Sequence, residues 1–136
     1  MYSHIIVPVD FAHEAMVDQA IEVGQKLLNP GGQITLLHVI EDLPGYVASS
    51  IPEEILHRTR GQASDQLHKM ADDYGSFCAA VMRHGSPSRE ILKLAKEKNA
   101  GCIIVASHQP GIQDYFLGST AAWVVRHAQC CVHVLR

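Results

Sequence analysis

No apolar run in this sequence approaches the ~20 residues that a bilayer-crossing helix needs. The chain enters Ile5-Ile6-Val7-Pro8-Val9-Asp10 with no basic region or cleavage site before it, so a cytoplasmic protein without membrane contact is expected. Positive charge is scarce: 11 Lys and Arg against 14 Asp and Glu leave a net charge of −3. That argues against a general nucleic-acid binder, whose affinity comes from neutralising phosphates. The cysteines, Cys78, Cys102, Cys130 and Cys131, lie in or beside apolar runs, show no C-x-x-C spacing and include one adjacent pair of the kind that seldom bridges. They read as small core residues in a reducing compartment. No pair among the 9 histidines has a common zinc-motif spacing, and no metal site is expected. A Walker A motif and a Gly-x-Ser-x-Gly elbow are also missing, which argues against P-loop phosphoryl transfer and against a triad hydrolase.

What is present fits one domain over residues 1–136, with 47% hydrophobic and 18% charged residues and a mean hydropathy of +0.03. The chain is organised around Cys102-Ile103-Ile104-Val105-Ala106, a short apolar run that reads as a parallel strand buried on both faces. A loop with Pro and Gly follows, then Gly118-Ser119-Thr120 opening a helix over 120–127, with Ala121, Val124, Val125 and Ala128 as its apolar face. A helix N-terminus has free N–H groups and partial positive charge, so a phosphate could sit at Gly118 to Thr120. The plainer reading makes Ser119 or Thr120 an N-cap and gives Gly118 a turn conformation that other residues dislike.

Read in order, residues 3–9 form the first strand, with Asp10 just past its end as either a ligand contact or a helix cap. A helix over about 12–28 presents Met16, Ala20, Val23, Gly24 and Leu27 inward and is stopped by Asn29-Pro30-Gly31-Gly32. Residues 33–40 are a second strand in which His38 reads as a hydrogen-bonded core histidine. Residues 41–50 are irregular and are either a lid or a plain connection. A helix from near Pro52 turns Leu56, Ala63, Leu67, Met70, Ala71 and Tyr74 inward. Residues 77–82 form a third strand, and Ser86-Pro87 start a helix with Ile91, Leu92 and Ala95 toward the sheet; the Gly85-Ser86-Pro87 turn, at a strand's C-terminal end, either borders a ligand or only starts that helix. Cys131–Leu135 is the last strand. This alternation predicts an α/β fold, an open parallel five-stranded sheet covered by helices on both faces.

Several motifs in series resemble the universal stress protein family: Ile-Val-Pro-Val-Asp at the start, Leu-Leu-His-Val-Ile-Glu in the second strand, Gly-Ser-Pro before the third helix, and Ile-Ile-Val-Ala-Ser-His through Leu-Gly-Ser-Thr. The resemblance implies a three-layer Rossmann-like sheet of order 3-2-1-4-5, a homodimer joined through the C-terminal strand and, in one large branch, ATP binding. The ATP-binding members carry Gly-x2-Gly-x9-Gly-Ser or Gly-Thr. Here Gly118-Ser119 match its end, Ala106 and Gln109 replace the two earlier glycines, and the spacer is one residue shorter. Ser-His-x-Pro with the shorter spacer resembles the F/G-type branch. The resemblance places Pro8, Val9 and Asp10 around base and ribose, Val39 against the adenine, Val105 and Ala106 under the nucleotide, and Ser107, His108, Gly118, Ser119 and Thr120 around ribose and phosphates. The function implied is an adenine-nucleotide-binding regulator of the stress response, taking ATP, AMP or ADP with or without Mg²⁺ and acting on a protein partner. The alternatives are slow ATP hydrolysis or autophosphorylation, with Ser107, Ser119 or Thr120 as acceptor and His108 as base, and a nucleotide-free dimeric scaffold.

Overall fold

A computed structural model describes residues 1–107 and 117–136. The element order is β1 (Tyr2–Pro8), a 3-10 turn (Phe11–His13), α1 (Glu14–Leu27), β2 (Leu28–Ile40), the single turn α2 (Gly45–Ala48), α3 (Glu53–Tyr74), β3 (Cys78–His84), α4 (Pro87–Glu97), β4 (Cys102–Ala106), α5 (Ser119–His127) and β5 (Cys131–Leu135). The five strands form one parallel sheet of order β3-β2-β1-β4-β5.

Successive side chains of a strand point to opposite faces, and both faces here are covered. Ile5 and Val7 join Ile34, Leu36 and Ile104 under Val17, Ala20 and Ile21 of α1 and Leu67 and Ala71 of α3. Ile6 joins Leu37, Ile103 and Val105 under Ile91, Leu94 and Ala95 of α4 and Ala121 and Val124 of α5. That double burial is why β1 and β4 read as unbroken apolar runs rather than alternating ones. Gly24 lets α1 lie close on the sheet, since a Cβ there would sit 2.8 Å from Cδ1 of Ile34.

Several local features differ from the sequence reading. The helix after β1 begins as a 3-10 turn, and α1 proper starts at Glu14. It does end at Leu27, but Asn29-Pro30-Gly31-Gly32 are not a free turn; they belong to β2 as an irregularity, Tyr2 pairing with Leu28 and His4 with Gln33. Gly31 takes φ +78, and Pro30 has no N–H to lose from the ladder, which suits this stretch to a bulge. On α4 it is Leu94 that is fully buried rather than Leu92, and on α5 Val125 is exposed. In α3 only Leu67 and Ala71 are buried, with Met70 and Tyr74 packed alongside. Leu56 and Ala63 are half-buried in an N-terminal portion without a buried residue. Cysteine burial is also uneven: Cys78 and Cys102 are buried, whereas Cys131 is exposed. Cys131 is the register partner of Cys102 and so shares its face, but β5 is the sheet edge. Among the described residues no helix is long and apolar enough to cross a membrane.

Candidate functional site

In a parallel sheet the strands deliver their following loops to one edge, and a ligand crevice forms there where neighbouring connections diverge. Here β1 lies between β2 and β4. At that edge Pro8, Val9, Asp10, Val39, Val105, Ala106, Ser107, Gly118, Ser119 and Thr120 line a single cleft of about 610 Å³. This volume is in the range of small-molecule sites. The remaining residue of the expected set, His108, lies outside the described residues, as does Gln109. The walls continue with Met16, Val17 and Ala20 of α1, Leu37 of β2, Ile91 of α4 and Ile104 of β4, an apolar surface suited to a flat ring.

Asp10 stands at the cleft and has the capping role that was one of its two readings. Its Oδ1 accepts the Ala12 N–H at 3.0 Å, capping the 3-10 turn, and its Oδ2 lies 3.1 Å from Nδ1 of His13. The Ala12 N–H, helped by His13, holds the Asp10 carboxyl below its ordinary value, so the cleft edge carries a carboxylate at neutral pH. Val9 is fixed from two sides. Its N–H donates to the Leu37 carbonyl at 2.8 Å, and its carbonyl accepts from Nδ1 of His38 at 2.9 Å. The His38 ring also rests on Phe11, centroids 4.4 Å apart.

On the opposite side of the cleft, the Ser107 N–H donates to the Leu135 carbonyl at 2.8 Å, and the Ser107 carbonyl accepts the Gly118 N–H at 2.8 Å. These bonds tie the ends of β4 and β5 to the start of α5. Gly118 is itself the N-cap, and no side chain caps this helix, so neither Ser119 nor Thr120 has the capping role. Nor does Gly118 need special backbone freedom, because its φ of −55 and ψ of 155 suit any residue. A Cβ there would meet only the Ser107 carbonyl, at an ordinary 3.5 Å. The first-turn N–H groups of Ser119, Thr120 and Ala121 have no intrahelical acceptor, and these three residues line the cleft.

The sequence reading missed His13, His38 and Glu41 as lining residues, whereas Pro87 belongs to a turn for which a ligand border was one of two readings. His13 could have been found from its place one helical turn beyond Asp10. His38 was read as a core histidine and is indeed hydrogen-bonded and half-buried, but the cleft extends over the end of β2 and reaches it as well. Nothing local distinguished Glu41 from any exposed acid.

A parallel five-stranded sheet of order 3-2-1-4-5, helices on both faces and a cleft at the strand ends beside a helix N-terminus define a Rossmann-like α/β protein. The comparisons identify the kind. The Universal stress protein family model matches residues 1–136, and the chain belongs to that family. It is 32% identical to universal stress protein G of Shigella flexneri, each chain being covered in full. Among solved structures it is similar to universal stress protein UspA from Lactobacillus plantarum, at TM-score 0.76 and 24% identity over 98% of this chain and 97% of that one. The same fold recurs in a universal stress protein solved in complex with cAMP, at TM-score 0.70 and 15% identity over 99% and 97% of the two chains. It recurs again in one from Archaeoglobus fulgidus in complex with dAMP, at TM-score 0.63 and 20% identity over 97% and 96%.

Proposed function

We propose that this chain is an adenine-nucleotide-binding regulatory protein of the stress response, in which occupancy of the cleft alters a homodimer and thereby a protein partner. The carrying observation is the start of α5: Gly118, Ser119, Thr120 and Ala121 line the cleft and no side chain caps the helix there, so its first-turn N–H groups are left for an anion. The adenine would lie against Val9, Val39 and Val105, Asp10 would accept from the ribose hydroxyls, and the phosphate would take the amides and hydroxyls of Ser119 and Thr120. The cAMP and dAMP complexes of similar folds support an adenine nucleotide as the class of ligand, and ATP is included in the reading through the sequence resemblance. No cluster of three His, Cys, Asp or Glu among the described residues could hold a metal ion. A Mg²⁺ arriving with the nucleotide would therefore rely on phosphate oxygens and water. The dimer contact is assigned to the outer edge of β5.

The test is to purify the protein without added nucleotide, denature it, and chromatograph the supernatant for released adenine nucleotide beside a Gly118→Glu preparation. Near-stoichiometric nucleotide that is lost in the variant supports the reading. Empty native protein that also fails to gain thermal stability with Mg-ATP, AMP or cAMP overturns it, because a ligand selective for the folded state must raise the melting temperature.

A further inference from the structure

The charge of the cleft leads further, on the assumption that the nucleotide reading above holds. Among the described residues its lining has two carboxylates, Asp10 and Glu41, and two imidazoles, His13 and His38, but no Lys or Arg. The sequence of residues 108–116, His-Gln-Pro-Gly-Ile-Gln-Asp-Tyr-Phe, contains one acid and no Lys or Arg. Both imidazoles are engaged, His13 with Asp10 at 3.1 Å and His38 with the Val9 carbonyl at 2.9 Å. The cations nearest in sequence to lining residues, Arg136 beyond Leu135, Arg89 beyond Pro87 and Lys93 beyond Ile91, are not among the lining residues.

What the protein offers an anion is therefore the N-terminus of α5, equivalent to roughly half a positive charge, with the hydroxyls of Ser119 and Thr120 beside it. This suits one phosphate group. The additional charges of a triphosphate would share the cleft with Asp10 and Glu41 and meet no Lys or Arg among its described lining residues, at a cost that grows with each charge.

We propose that this cleft selects adenine nucleotides carrying a single phosphate group, a phosphodiester or monoester of adenosine, over metal-free ATP, with the carboxylates Asp10 and Glu41 enforcing the choice.

The experiment is calorimetric titration of the full chain in EDTA with adenosine, AMP, cAMP and ATP, repeated on Glu41→Lys and on the near-isosteric Glu41→Gln, with melting curves to establish that each variant is folded. AMP and cAMP should bind at least about tenfold more tightly than ATP. Glu41→Lys should raise ATP affinity about tenfold while leaving adenosine unchanged, and Glu41→Gln should move it the same way by a smaller factor. ATP binding as tightly as AMP to the native chain overturns the selection, and so does an ATP-to-AMP ratio that neither variant changes. Failure of all four ligands to bind or to raise the melting temperature instead removes the nucleotide reading itself, and the selection with it.

Discussion

His4 shows how one half-buried titratable side chain sets a pH limit on the fold. Its Nε2 lies 2.7 Å from Oγ1 of Thr35, and burial, reinforced by the charge of Lys98, lowers its pKa. The folded state then binds fewer protons than the unfolded state, so this residue's contribution is fully present above the ordinary histidine value near ~6.5 and is lost as pH falls from there through the lowered folded value. Melting temperature should decline on acidification below about pH 6.5, and His4→Gln should flatten that decline in a thermal-melt series from neutral to mildly acidic pH. An unchanged slope would mean that other groups carry it. The cysteines give a second expectation. Burial pushes the thiols of Cys78 and Cys102 up to about 11, which leaves little thiolate, whereas Cys131 is exposed. Alkylation of the native protein followed by peptide mass analysis should modify Cys131 first and reach Cys78 and Cys102 only on unfolding. Early modification of Cys102 would contradict its burial.

At the scale of elements, α3 is anchored by its C-terminal half. Leu67 is 0% exposed and is one of only two buried residues in 22. Leu67→Ala should therefore cost about 2–5 kcal/mol in denaturant unfolding, while Leu56→Ala, at a half-buried position, should cost much less. Equal losses would show that the whole helix is clamped. At α5 the element and the site can be separated by one substitution. Gly118→Glu adds an acid at a helix N-terminus, which favours the helix by about 0.3–1 kcal/mol, yet it blocks and repels an anion there. Stability should hold or rise slightly while nucleotide binding falls below detection. Loss of both together would point to a misfolded variant rather than a blocked site.

For the whole molecule, the open edge of β5 is where a second copy would join. The Cys131 N–H donates to the Gly101 carbonyl and the Leu135 carbonyl accepts from Ser107, so the odd-numbered residues of β5 bond inward to the β4 side. The N–H groups of Val132 and Val134 face outward. Val134→Pro removes an outward donor without breaking the β4–β5 ladder. With the proposed dimer, light scattering should show a folded monomer for this variant and a dimer for the native chain; a dimer in both would place the contact elsewhere, and a monomeric native chain would overturn the dimer. Much of the fold was legible beforehand, because strands buried on both faces read as apolar runs and a helix start such as Ser86-Pro87 is local chemistry. Cys102–Ala106 and Cys131–Leu135 have the bounds expected of them. Legibility faded where local signals meant something else in three dimensions: Asn29 to Gly32 read as a helix stop and became a bulge in β2, and Val125 read as core but faces solvent. The same held at the site. The sequence by itself determined which residues stand at strand ends and helix starts, because periodicity and turn chemistry are encoded within a few neighbours. Only the tertiary structure decided that His13, His38 and Glu41 share the cleft with Asp10, Val39, Ser107 and Gly118, which the family resemblance had already grouped around one ligand. Their distances across the sheet depend on strand order and register, which are set by packing between segments far apart in the chain.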